Sequence, residues 1–295
     1  MKNKKRNNKS EIKNAYLFIA PMILFAVIFV LLPVAGTFDS GFFRDITFLS
    51  KEFIGLENYK KIFGDIHFWH SFRFTVLFVI VSVSIEIVLG LIFAVLLNEK
   101  FRFRGLARTA ILIPWAIPVA VSARVWQLIY NYDYGVFNYF LLKTGIVNEP
   151  VNWLGSAQSA FFSLVISDVW KATPFVAIIL LAGLSAIPED LYNQAMIDGA
   201  AFHQRFFKIT LPLLKPVIVV SLLFRTIDAI RVFDLIYILT GGGPGGSTTS
   251  ISLYTYKYFL AGDFGYGSAV SVVIFLIAFA LSLAYIKVGK FTELG

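Results

Sequence analysis

The chain of 295 residues contains no cysteine, only three histidines, and few charged residues, which make up 15% of it. Without cysteine it can form neither disulfides nor thiolate metal sites. His67 and His70 lie three residues apart in a predicted external segment, where two solvated histidines are a simpler interpretation than a metal pair. The sequence has no cluster of histidine, cysteine and aspartate that could supply a metal site or a nucleophile, which argues against a membrane enzyme.

A phosphate-binding loop is also missing. The pattern G-x-x-x-x-G-K-[ST] does not occur, and the glycine-rich run TGGGPGG at 240–246 lacks the required lysine and hydroxyl. The chain is therefore not expected to hydrolyse ATP itself. We predict that the run is a flexible turn on the external side.

Apolar residues are abundant and arranged in long blocks. They make up 58% of the chain, against about 45–50% in soluble domains. A helix needs about 20 apolar residues to cross a bilayer, whereas barrel strands alternate apolar with polar residues. Runs such as TVLFVIVSVSIEIVLGLIFAVLL do not alternate, so we predict an all-α membrane protein. The six predicted spans are 15–37, 72–97, 109–130, 160–186, 212–239 and 265–286.

The distribution of basic residues explains the net charge of +8 without nucleic acid. Fifteen lysines and arginines lie in the two terminal segments and in the second and fourth connections, and seven lie in the other connections. The positive-inside rule then places both termini in the cytoplasm. The first apolar block is longer than a signal-peptide core and contains two prolines, so we expect it to be an uncleaved span.

The spans suggest three parts. Residues 1–71 would form the cytoplasmic N-terminus, the first transmembrane helix and an external loop, in which FIGLENYKKIF at 53–63 predicts a short amphipathic helix after a glycine turn. Residues 72–286 would form a compact core of five spans. Residues 287–295 would form a cytoplasmic tail.

The fourth connection, 185–216, predicts two short cytoplasmic helices joined by a bend. Pro188 can open the first helix, and Glu189 and Asp190 suit the positive end of its dipole. Gly199 permits a sharp bend, and a second helix at 200–208 would stop at Leu211–Pro212. The segment suits docking into a partner's cleft, but an amphipathic linker lying on the membrane explains the pattern equally well.

This connection resembles the cytoplasmic signature of binding-protein-dependent ABC importers. The family pattern is Glu-Ala-Ala, three residues, Gly, nine residues, then Ile-x-Leu-Pro. Here the matching residues are Asn193-Gln194-Ala195, Gly199 and Ile209-Thr210-Leu211-Pro212, so the spacing agrees while Asn193 and Gln194 replace Glu and Ala. The resemblance implies a type I permease fold and a helix that couples to the ATPase. The residues to which it gives that coupling role are Ala195, Asp198, Gly199 and Ala200.

Further segments resemble the sugar-permease branch, of the larger-subunit type of maltose transporters. They are GLENYKKIF, IPEDLY with IDGA, FDLIYILTGGGP and YGSAVSVVIF. The resemblance implies a multi-pass protein of a bacterial or archaeal inner membrane that imports a sugar or oligosaccharide. It also implies a cytoplasmic ATPase dimer that uses the ATP, a second permease subunit and an extracytoplasmic solute-binding protein, with no cofactor or metal in this chain. A polyol or glycerol phosphate importer and a stand-alone secondary transporter remain alternatives, as do hetero- and homodimeric permease pairs.

Eight ionisable residues fall inside the predicted spans, where unpaired charge is expensive. One interpretation is that they form ion pairs that hold the bundle together. The other is a polar path for a hydroxyl-rich solute, flanked by Trp126, Trp170 and Tyr237. In the maltose-type relatives the fifth span contacts the substrate, which by resemblance indicates Arg225, Asp228 and Val232, predicted to share one helical face. The eight residues are Glu86, Arg124, Asp168, Lys171, Arg225, Asp228, Arg231 and Asp234.

Overall fold

A computed structural model describes the backbone of residues 2–289 and the side chains of residues 12 and 14–289. Long helices dominate this part of the chain, and five of them are long and apolar enough to cross a membrane, or six if one bent pair is a single span. The helices are α1 (Lys2–Ala26), α2 (Leu32–Ser40), α3 (Glu57–Gly64), α4 (Ile66–Asn98), α5 (Arg104–Ala110), α6 (Ile113–Ala116), α7 (Val119–Ile129), α8 (Val136–Lys143), α9 (Ala157–Ser185), α10 (Glu189–Ile197), α11 (Phe202–Arg205), α12 (Leu211–Ile230), α13 (Asp234–Leu239), α14 (Ile251–Leu260) and α15 (Phe264–Gly289). Two π-helical turns, Val27–Leu31 and Phe206–Thr210, join α1 to α2 and α11 to α12.

The chain divides into two compact units. The first contains the chain up to Gly64 together with Lys257–Val273. It contains a small hairpin in which β1 (Phe43–Arg44) pairs antiparallel with β2 (Glu52–Phe53). The amide of Asn58 on α3 donates to the carbonyl of Phe43 at 2.9 Å, which fixes the helix against the hairpin. The short helix predicted after a glycine turn is confirmed, because α3 follows Gly55, whose φ is +59°. Its external position stays a prediction.

The second unit contains Asp65–Tyr256 and the chain from Ile274 onwards. Its centre is the packing of α4 against α9, with α12 lying on both. A Cβ at Gly90 on α4 would lie only 2.9 Å from the Cβ of Val176 on α9, so glycine allows this close approach. The predicted spans at 15–37, 72–97, 160–186 and 265–286 are confirmed as long helices. The predicted domain boundaries at 71 and 286 stay a prediction.

The third predicted span, 109–130, is broken rather than continuous. Helix α6 ends at Ala116, and α7 begins at Val119, with a bend of 89° between the two halves. Pro118 lies in the break and has no N–H to donate to the carbonyl of Pro114, four residues earlier. Pro114 and Pro118, four residues apart in an apolar run, were therefore the feature of the sequence that could have predicted the bend.

The fifth predicted span, 212–239, is wrong at both ends. At its beginning, α11 runs through the π-helical turn into α12, so Leu211–Pro212 does not stop the preceding helix. At the other end α12 finishes at Ile230, the backbone of Arg231 and Phe233 leaves the helical region, and α13 begins at Asp234. This break contains neither glycine nor proline, so periodicity and breaker residues did not reveal it.

The glycine-rich run at 240–246 forms a loop with several side-chain hydrogen bonds, and its predicted flexibility stays a prediction. The hydroxyl of Thr248 is fully buried, donates to the carbonyl of Gly243 at 2.6 Å and lies 2.8 Å from the Thr240 hydroxyl. The hydroxyl of Thr249 donates to the carbonyl of Gly242 at 3.3 Å. Threonine hydroxyls within and after the run therefore supply side-chain hydrogen bonds, which glycine cannot make.

Candidate functional site

The predicted helix–bend–helix of the fourth connection is present. Pro188 precedes α10, with Glu189 and Asp190 in its first turn. The N–H of Ala200 donates to the carbonyl of Ala195 at 2.8 Å, and Gly199 has a φ of +77°, which closes the helix end as glycine favours. The second helix begins at Phe202 rather than at 200.

Apolar side chains are exposed around this bend. Ile197 is 86% exposed, and Met196 and Phe202 are exposed by half or more. An added Cβ at Gly199 would meet no atom of the described chain within 4 Å. The four residues to which the resemblance gives a coupling role, Ala195, Asp198, Gly199 and Ala200, thus lie together on a bend with an accessible apolar rim.

Behind the bend lies a cleft of about 530 Å³ between α10, α11 and the C-terminal ends of α4 and α9. Lys100 pairs with Glu189 across it at 2.9 Å, and the hydroxyls of Tyr192 and Thr210 lie 3.0 Å apart. Asn193 lies on its wall, so the residue that replaces the usual glutamate faces this cleft.

Arg225 on α12 is enclosed by three carboxylates from three helices. Its Nε and Nη2 donate to both oxygens of Glu86 on α4, at 2.6 and 3.0 Å. Nη2 also donates to Asp168 on α9 at 3.3 Å, and Nη1 to Asp228 at 3.5 Å. The side chain of Arg225 is 8% exposed and that of Glu86 is fully buried. Such a bidentate pair is among the strongest charge-assisted contacts, and it joins α4 to α12.

Lys171, one turn after Asp168 on α9, is used differently. Its Nζ donates to the carbonyls of Pro114 at 3.4 Å, of Trp115 at 3.2 Å, and of Ile117. An ammonium has three donors and no acceptor, and here it meets three carbonyls of the α6–α7 break. Lys171 thus donates to backbone carbonyls at the break, where the helical hydrogen-bond pattern is interrupted.

A cavity of about 580 Å³ opens between the α6–α7 break, the α12–α13 break and α9. Irregular backbone at membrane depth is tolerated where it lines a wet cavity or is buried in protein. The carbonyl of Val232 in the second break accepts from the hydroxyl of Ser250 at 2.8 Å. The polar and aromatic residues on the cavity wall include Trp115, Ser167, Asp168, Lys171, Arg225, Asp228, Arg231, Phe233 and Asp234.

The structure brings Arg225, Asp228 and Val232 to this one cavity. They do not share a helical face as predicted, because α12 ends two residues before Val232. Of the eight ionisable residues, six line the cavity and two do not. Glu86 is buried and bonds Arg225, and Arg124 is exposed and donates to Gln127 at 2.7 Å.

The aromatic residues proposed to flank the path lie elsewhere. Trp126 is buried, packed against Tyr130 and edge-on to Trp170, while Tyr237 stacks on Phe233. Within residues 2–289 the aromatic side chains on the cavity wall are Trp115 and Phe233. Sequence reasoning passed over both, although each adjoins one of the two breaks.

Comparison with known proteins identifies the family. The family described as binding-protein-dependent transport system inner membrane component matches residues 86–288. The chain is 54% identical to the trehalose/maltose transport system permease protein MalF of Thermococcus litoralis, over 95% of each chain. It is 40% identical to the sulfoquinovosyl glycerol transport system permease protein SmoG of Agrobacterium fabrum, over 93% of this chain and 89% of that protein.

Among solved structures, the fold is similar to a chain of a bacterial alginate ABC transporter crystallised in complex with an alginate pentasaccharide-bound periplasmic protein. The TM-score is 0.84, with 23% identity over 96% of both chains. The predicted all-α permease fold is therefore confirmed. The chain belongs to the binding-protein-dependent transport system inner membrane component family.

Proposed function

We propose that this chain is the permease subunit of an ABC importer for a sugar or oligosaccharide, with trehalose and maltose as the first solutes to test. The proposal rests most on the similarity to the trehalose/maltose permease, which extends over 95% of both chains. The partners would be a cytoplasmic ATPase dimer, a second permease subunit and an extracytoplasmic solute-binding protein. ATP would be used by the ATPase, and this chain would need no cofactor.

The cavity would be part of the solute path. Carboxylates such as Asp228 and Asp234 can accept hydrogen bonds from sugar hydroxyls, and Trp115 and Phe233 offer apolar faces for sugar rings. Arg225 would support the site indirectly, because Glu86 already occupies its guanidinium.

The bend at Ala195, Asp198, Gly199 and Ala200 would be the coupling element. Its exposed apolar rim suits insertion into a cleft of the ATPase. Closure of the ATPase pair would move the bend and, through the helix that continues from α11 into α12, the cavity wall. This mechanism requires both termini to lie in the cytoplasm.

Uptake tests the proposal. Cells that lack their own trehalose and maltose importers would receive the chain with its ATPase, second permease and binding protein, and uptake of labelled trehalose and maltose would be measured. Uptake should require all four components. Uptake by this chain alone would favour a stand-alone transporter, and uptake confined to a charged solute such as glycerol phosphate would contradict a neutral-sugar path.

A matched pair of variants tests the cavity. Val232→Trp places an indole on the cavity wall, whereas Val88→Trp makes the same change on the exposed face of α4, where Val88 is 58% exposed. Uptake should fall to background for Val232→Trp and stay near wild type for Val88→Trp, at equal membrane abundance. Equal uptake by the two variants would show that the cavity is not on the path.

A further inference from the structure

The break between α6 and α7 leaves backbone carbonyls without helical partners at membrane depth. The carbonyl of Pro114 would pair with the N–H four residues later, but that residue is Pro118, which has none. Ile117 is extended, with φ of −70° and ψ of 132°, so its carbonyl also points away from the helical ladder. Such groups need another donor.

Lys171 supplies those donors from a different helix. Its ammonium reaches the carbonyls of Pro114, Trp115 and Ile117, so its three protons and the three acceptors match in number. A positive charge also suits the carbonyl end of a helix. Lys171, Trp115 and Ile117 lie on the wall of the same cavity.

We propose that Lys171 is a positioning residue for the solute path: it holds the α6–α7 break in the shape that forms one wall of the cavity, and it is not itself a solute ligand. This inference rests on the proposed transport function. Because the ammonium is occupied by backbone, a solute would meet the surface that Lys171 organises, formed by Trp115 and the residues that follow it.

The coupling ratio of the complete transporter tests the proposal. The permease pair and ATPase would be reconstituted in liposomes with the binding protein and trehalose or maltose, and solute uptake per ATP hydrolysed would be measured. Lys171→Met should lower that ratio at least about threefold while stimulation of the ATPase by loaded binding protein persists. Lys171→Arg, which keeps a cation with several donors, should restore most of it. Lys143→Met, on the exposed end of α8, is the control and should change nothing.

A fall of uptake and ATPase activity in proportion to protein abundance would overturn the proposal, because it would show a role in assembly only. An unchanged ratio in Lys171→Met would also overturn it, as would an arginine variant no better than the methionine variant.

A second readout does not depend on the solute. The chain has no cysteine, so Ile117→Cys introduces a single thiol at the half-buried centre of the break. Its labelling by a membrane-impermeant maleimide should be at least about fivefold faster with Lys171→Met than with Lys171 intact, because the break loosens locally. An unchanged labelling rate overturns the proposal. If the wild-type transporter moves neither sugar, the assignment of trehalose and maltose fails while this labelling test still decides the role of Lys171.

Discussion

The three carboxylates around Arg225 should contribute very unequally to the stability of the protein. Glu86 is fully buried and bonds the guanidinium at 2.6 and 3.0 Å. The side chain of Asp168 is 16% exposed at 3.3 Å, and that of Asp228 is 48% exposed at 3.5 Å. Replacing each by its amide keeps the volume and removes one negative charge, so the three variants are matched.

Removing one partner of a buried ion pair costs about 3–5 kcal/mol, since it leaves the other charge uncompensated. We expect Glu86→Gln to fall in this range, which lowers the ratio of folded to unfolded protein by about a hundred- to several-thousand-fold. Asp228→Asn should cost only about 0–1 kcal/mol, because the contact is long, half-exposed and screened. Asp168→Asn should lie between them.

Membrane abundance and the thermal inactivation temperature of the detergent-solubilised protein would be measured for all three variants. The expected order of loss is Glu86→Gln, then Asp168→Asn, then Asp228→Asn. The reasoning is refuted if Asp228→Asn destabilises the protein as much as Glu86→Gln. From the sequence alone, an ion-pair role for the charges of the fifth span predicts the large loss of stability for Asp228→Asn, because Asp228 is one turn from Arg225. From the structure, we expect the largest loss of stability for Glu86→Gln instead.

Other predictions concern the bend at Gly199 and the topology. Gly199→Trp should leave insertion intact but abolish stimulation of ATP hydrolysis by loaded binding protein, since an indole would occupy the surface proposed to seat on the ATPase; transport at the wild-type rate would contradict this. Asn193→Glu should be tolerated in the same assay, because the cleft that Asn193 lines is open to water. A loss of ATPase stimulation would show that this position cannot hold the family's usual residue. Single cysteines at Lys51 and Lys143 should react with an impermeant reagent in intact cells while one at Asp198 should not, and labelling at Asp198 would overturn the assigned orientation.

Features that depend on local pattern could be predicted from the sequence. Long apolar runs indicated the membrane helices because an unpaired backbone in lipid leaves few alternatives to helix. The bend at Gly199 could be predicted for a similar reason, since its φ of +77° is one that glycine readily adopts. The spacing around Gly199 also indicated the family, which the match to residues 86–288 confirms.

The arrangement of the site depended on contacts between residues far apart in sequence. Glu86 and Arg225 are 139 positions apart, so no local spacing shows that they pair, and the nearby Asp228 was a more obvious partner. In the break after α12, the carbonyl of Val232 accepts from the hydroxyl of Ser250, which lies in the next connection. Lys171 likewise finds its carbonyls on another helix, more than fifty residues away. Local sequence thus determined most of the long apolar helices and the bend at Gly199. The pairing of the charges and the shape of the cavity followed from tertiary packing, because buried polar groups must find whatever partners the fold places beside them.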